Sequence, residues 1–217
     1  MSILKVDELQ SRTSGNRITL PDVNNYPPYR NLIINGDMSI AQRGTSTASI
    51  TGTGYFTIDR VKNAMSGFGT WTQSQSTDVP SGEGFGYSLK YDCTTANASL
   101  SASAFGIFQM SKLEGQMLQH LKKGTANAES LTISFWVKSS KTGTYIVELF
   151  DEDNSRFTNK SYSINSASTW EKKTINFDGD TTGAFNNDNG DSLSINFWLG
   201  AGTTFTTGSL QTTWGGN

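Results

Sequence analysis

Apolar and polar residues alternate most regularly in two stretches of this chain. In LTISFWVKS, Leu131, Ile133, Phe135 and Val137 fall on one face, and Thr132, Ser134, Trp136 and Lys138 on the other. SLSINFWLG repeats the pattern, with Leu193, Ile195, Phe197 and Leu199 on one face and Trp198 on the other. Both read as buried, twisted strands of one all-β sandwich. YFTIDRVKNAM reads as a further strand, Tyr55 and Thr57 alternating against Phe56 and Ile58, and FGYSLKYDCTT and SAFGIFQM read as two more. TYIVELFD is apolar on both faces until Asp151-Glu152-Asp153-Asn154 ends it, and SYSINSASTWEKKTINF holds two strands around Trp170. Strands recurring at intervals of about ten residues predict a sandwich.

One segment departs from period two. SKLEGQMLQHLKKG predicts a short helix with Ser111 as N-cap, Glu114 completing a capping box and Gly124 at the stop; Gly115 argues against a long one. Asn35-Gly36-Asp37 predicts a turn or bulge between two apolar stretches.

Residues 1–30 have a different character from 31–217. ILKVDEL alternates apolar and polar residues and reads as a short strand or a helical turn, SRTSGNRITLPD reads as strand, turn at Ser14-Gly15-Asn16 and strand, and Tyr26-Pro27-Pro28-Tyr29 is a stiff extended connector. With so little apolar content, this arm is expected to order against a partner or against copies of itself.

The composition narrows the function classes. Of 217 residues, 35% are hydrophobic, yet 5 Trp, 7 Tyr and 12 Phe supply core surface, so the chain does not read as disordered. A net charge of −2 with no long basic run argues against a nucleic-acid partner. No apolar stretch approaches the roughly 20 residues that span a bilayer, and the first residues lack a secretory signal, which implies a soluble chain made in a cytoplasm without membrane insertion. Cys93 has no partner for an internal disulfide and reads by default as a small buried hydrophobe.

The chain does not read as an enzyme. His120 is the one histidine, placed late in the predicted helix where the dipole accounts for it. There is no GxSxG and no oxyanion motif. Glycoside hydrolysis would need paired carboxylates, and of Glu114, Glu129 and Glu148 only Glu148 is expected inside a strand. Gly52-Thr53-Gly54 and Gly82-Glu83-Gly84 lack a strand–loop–helix setting and read as loops. No cofactor is called for. Asp151, Asp153, Asp178, Asp180, Asp188 and Asp191, with Asp37, offer oxygen ligands, but no loop closes with the Glu of an EF-hand, and solvated turns account for these acids.

Trp136 and Trp198 are the sharpest binding candidates, each on the polar face of a core-forming strand. If the two strands are neighbours, the indoles form a platform for sugar C–H faces, beside Asn196, Ser134 and Lys138. Cover by the N-terminal segment, a loop or another subunit is the commoner fate of such large aromatics and the favoured explanation. Trp71 and Tyr91 are weaker candidates of the same kind.

Two resemblances follow from these residues. The order of short helix, LTISFWVKSSKTGTYIVELFD, Trp170 and SLSINFWLGAG resembles carbohydrate-binding modules with a galactose-binding-like jelly roll. NLIINGDMSIAQRGTS, QHLKKGTANAESLTISFWVKSSKTGTY and NSASTWEKKTINFDGDTTG resemble structural and tail-fibre proteins of tailed bacteriophages, and ILKVDELQSRTSGNRITLPD their virion-proximal segments. The likeness spans residue 3 to about residue 200, with FWVKS its most specific part.

The resemblance implies a virion component, a homo-oligomer and often a trimer. Its arm (Ile3, Leu4, Val6, Leu9, Ile18 and Leu20) would anchor to other tail, capsid or portal proteins, and its jelly-roll domain would meet a host surface glycan. It also implies that a structural Ca²⁺ is sometimes present, and that a last strand follows GTTFTTGSLQTTWGGN. A purely architectural decoration and a glycan-cleaving fibre are the alternatives.

Overall fold

The computed structural model describes Leu9–Gln10, Arg17–Ile18, 31–206 and 208–216, excepting the side chains of the first two segments and of Ser111. The chain divides into two compact units, Met1–Leu32 and Ile33–Asn217. In the first, β1 (Leu9–Gln10) pairs antiparallel with β2 (Arg17–Ile18), setting Leu9 opposite Ile18. The expectations for Ile3, Leu4, Val6, Leu20 and the Tyr26–Tyr29 connector lie outside the described residues.

The second unit is an all-β, jelly-roll-like sandwich. One layer is a seven-stranded antiparallel sheet. Its strands in spatial order are β14 (Gly215–Gly216), β11 (Arg156–Ile164), β10 (Gly143–Asp151), β13 (Asp191–Ala201), β8 (Phe105–Glu114), β5 (Val61–Ser66) and β4 (Gly54–Tyr55). Facing it are the three strands β3 (Ser46–Ile50), β6 (Thr70–Ser76) and β7 (Ser88–Thr95), and the pair β9 (Leu131–Val137) and β12 (Glu171–Phe177).

Aromatic rings join the layers. Phe108 of β8 stacks on Phe197 of β13 at 4.7 Å, Phe135 of β9 meets Phe197 edge-on at 5.0 Å, and Tyr91 of β7 stacks on Phe108 at 5.6 Å. Such pairs add about 0.5–1.5 kcal/mol each beyond burial. A polar node sits among them. Buried Gln73 accepts from the Thr57 N–H at 2.8 Å and donates to the Tyr91 hydroxyl at 2.6 Å, while the Thr57 hydroxyl donates to the Gln73 carbonyl.

β13 is more deeply placed than alternation predicts, since 192–197 are all buried and both its faces are covered. β9 is less so: Leu131, Ile133, Phe135 and Val137 do face inward, but each is only half-buried. A close approach also escapes the pattern. Gly106 and Gly200 are register partners on β8 and β13, and the Phe68 ring lies across both; a Cβ would stand 2.2 Å from the ring at Gly106 and 2.6 Å at Gly200.

Three expectations are corrected. Ser111 does not cap a helix: β8 continues to Glu114, with Leu113 opposite Leu193 and Glu114 opposite Asp191, so the ladder and the burial of Leu113 override the capping-box pattern. Helix α1 covers only Gly115–Leu118, prolonged by a 3₁₀ turn at Gln119–Leu121. YFTIDRVKNAM is two strands, because the chain turns between them with Arg60 at φ 68° and the Val61 N–H donating to the Ile58 carbonyl. Cys93 is exposed, opposite Trp71 near the end of the edge strand β7.

Candidate functional site

The two sharpest candidates do not meet. β9 and β13 belong to different layers, and their inward rings Phe135 and Phe197 touch. Successive residues of a strand point to opposite faces, so Trp136 and Trp198 leave the sandwich on opposite sides. No shared platform exists.

On the β9–β12 side, the outward face is a polar strip. The Thr132 hydroxyl donates to Asn176 Oδ1 at 2.7 Å, Ser134 and Thr174 hydroxyls are 3.4 Å apart, and half-buried Trp136 lies opposite Lys172. Lys138, just past β9, ion-pairs with Asp78 and sits 5.7 Å over the Trp170 ring, whose Nε1 donates to Asp78 Oδ1 at 3.0 Å. The Lys138 ammonium, then the Trp170 indole N–H, hold the Asp78 carboxyl below its usual range. This knot ties the loop after β6 to the end of β9 and the start of β12. Lys138 is thereby committed to a structural contact.

On the other side, Glu148 of β10, Asn196 of β13 and Gln109 of β8 stand in one cross-strand row, Asn196 Nδ2 donating to Glu148 Oε1 at 2.9 Å. Asn196 is 8% and Gln109 9% exposed, and Asn196 Oδ1 and Gln109 Oε1 find no donor. Burial pushes the Glu148 carboxyl up, against the bond from Asn196. Trp198 packs at 5.6 Å from Phe205 of α2 (Thr203–Thr206). Trp198 is half-buried and Phe205 exposed, so the enclosed part of this side is the Asn196–Gln109 pair.

Trp71 and Tyr91 are core members. Trp71 stacks on Phe68 at 5.6 Å, and burial drives the Tyr91 hydroxyl well above its ordinary pKa.

A cluster of ions is the feature that pattern reading missed. Lys123, following the 3₁₀ turn, is 7% exposed, and its Nζ donates to Asp151 Oδ2 at 2.5 Å and to the carbonyls of Thr182 and Gly183, with Asp180 Oδ2 at 3.0 Å. Phe185 and Trp214 rings lie 5.0 and 5.2 Å from the ammonium. Arg156 grips Asp180 with two bonds of 2.8 and 3.0 Å. Burial raises the Asp180 pKa, but Arg156, the Thr182 N–H and Lys123 outweigh it and hold the carboxyl low. Asp151 and Asp180 are thus buried ion-pair members, where solvated turns were expected.

Of the other acids, Asp188 and Asp37 serve turns. Asp153 accepts from Asn186, Asp188 from the Gly190 N–H and Asp37 from Ser39, while Asp191 ion-pairs with Lys112. Among the described residues, no group of three or more His, Cys, Asp and Glu is arranged to hold a metal. His120 is exposed in the last turn of the 3₁₀ segment. Glu129 pairs with Lys122, and Glu114 closes β8, so Glu148 is not alone in a strand.

The one available hint to the cluster was Trp214, a large aromatic stranded in a Thr- and Gly-rich tail. Comparison with protein-family models, curated proteins and solved structures finds no match.

Proposed function

We propose that this chain is a structural protein of a bacteriophage virion, a tail-fibre or appendage subunit that binds host-surface glycan without cleaving it. The resemblance of NLIINGDMSIAQRGTS and FWVKS to segments of phage structural proteins supports the virion setting. The observation that carries the binding reading is the outward strip of β9 and β12, where Trp136 stands among Thr132, Ser134, Thr174 and Asn176. An indole beside hydroxyls and a carboxamide suits a sugar, whose C–H face stacks and whose hydroxyls hydrogen-bond. Contacts of this kind are weak singly, and several copies on one particle convert them into firm attachment. Homotrimers anchored through residues 1–30 would supply those copies.

Two measurements test this. Purified particles of the phage carrying this gene should contain the chain in multiple copies, and its absence from them rejects the virion role. Titrating host polysaccharide while following Trp fluorescence should give saturable binding that Trp136→Ala abolishes and Trp198→Ala leaves intact. A normal response in Trp136→Ala removes the strip as the site.

The architectural reading draws on the opposite side of the sandwich. There half-buried Trp198 and exposed Phe205 form an aromatic surface that suits a protein contact. Particles lacking the chain would then fail to assemble, whereas the attachment role predicts intact particles that adsorb poorly.

A further inference from the structure

The C-terminal segment returns along β11 as β14 and walls a cleft of about 240 Å³. Asp178, Thr181, Thr212, Thr213, Arg156 and Trp214 are among its lining residues. Resting on the glycan reading above, we infer that this cleft is a second glycan subsite, taking a single neutral pyranose residue against Trp214.

Three observations carry it. The first is preorganisation. Trp214 Nε1 donates to the Asp178 carbonyl at 2.8 Å, its own carbonyl accepts from Arg156, and Lys123 sits beside its ring. Arg156 is in turn clamped on Asp180. With its Nε1 tied to the Asp178 carbonyl and its backbone held by Arg156, the indole is placed before a ligand arrives, which lowers the side-chain entropy cost of binding.

The second is unused hydrogen-bonding capacity. The Asp178 carboxylate and the hydroxyls of Thr181, Thr212 and Thr213 make no hydrogen bond to any described residue, although all four residues line the cleft. Carboxylate and hydroxyl oxygens around an aromatic plane match the alternating hydroxyl and C–H surfaces of a pyranose.

The third is size and charge. The volume lies below the roughly 300–1,000 Å³ of drug-sized pockets, which suits one ring. In and behind the cleft, Asp151, Asp178 and Asp180 outnumber Lys123 and Arg156, both already paired, so a uronate or sialate meets net repulsion.

The test is NMR on the full-length ¹⁵N-labelled chain, titrated to millimolar levels with the methyl glycosides of glucose, galactose and mannose, and with methyl glucuronide as the anionic control. At least one neutral glycoside should shift the Trp214 indole and Thr213 amide signals saturably, and the glucuronide should not. Asp178→Ala and Thr213→Val alter side chains that hold nothing else in place. Each should weaken binding by roughly tenfold, the worth of one lost hydrogen bond, while Trp136→Ala leaves the cleft signals responsive. The inference is overturned if no neutral glycoside moves the cleft signals, if the glucuronide binds as well, or if both cleft variants bind normally. Loss of polysaccharide binding in Trp136→Ala alone, with a silent cleft, rejects the subsite and keeps the attachment role. Normal cleft binding with no host polysaccharide bound does the reverse.

Discussion

The Lys123 ammonium lies 2.5 Å from the Asp151 carboxylate, at a position where Asp151 is fully buried. Asp151 also accepts from the Asp153 and Asn154 N–H groups, so one carboxylate both ends β10 and anchors Lys123.

Removing one partner of such a pair leaves an uncompensated buried charge. Lys123→Met is expected to destabilise the chain by about 3–5 kcal/mol in urea unfolding, with an unchanged m-value. The double variant Lys123→Met with Asp151→Leu should recover part of that loss. A single variant within about 0.5 kcal/mol of the parent would contradict the burial of this pair.

Asp180 gives the cluster a pH dependence. A carboxyl held below its ordinary value of 3.8 contributes stability that is present above that value and lost as pH falls through the folded-state pKa. Arg156→Gln removes the clamp. It should lower stability at neutral pH and shrink the further loss on acidification, as read by unfolding at stepped pH.

Glu148 works in the opposite sense. Its pKa is raised above 4.5, so the folded state favours the protonated form, and stability declines as pH rises from 4.5 through the folded-state value. Glu148→Gln removes the buried charge and supplies an N–H donor beside the unpaired Asn196 Oδ1. Its melting temperature should exceed the parent's at neutral pH and converge with it in acid. A lower melting temperature at neutral pH would refute this.

The Phe68 ring over Gly106 and Gly200 leaves no space for a methyl group. Gly106→Ala should cost about 1–3 kcal/mol by overpacking, and Phe68→Leu in the same chain should restore part of it. A neutral Gly106→Ala would mean that the ring moves freely.

Gln73 is expected to matter more than its polarity suggests. Gln73→Leu strands the buried Thr57 N–H and the Tyr91 hydroxyl, at about 1–3 kcal/mol in thermal or urea unfolding.

Local alternation determined the strands. In β9 and β13 a period of two reports which side chains lie on which side, because a strand's geometry allows nothing else. It also identified Trp136 and Trp198 as outward-facing. Pairing between strands depends on residues far apart in the chain, and there the pattern was silent or misleading. The ladder between β8 and β13 overrode the capping box at Ser111, and inter-layer packing sent the two indoles to opposite sides. Lys123, Asp151, Arg156, Asp180 and Trp214 come from separate loops and strand ends, with no spacing to connect them. Whether an acidic turn is solvated or buried against a lysine is a question of three-dimensional proximity, and only the folded chain decides it.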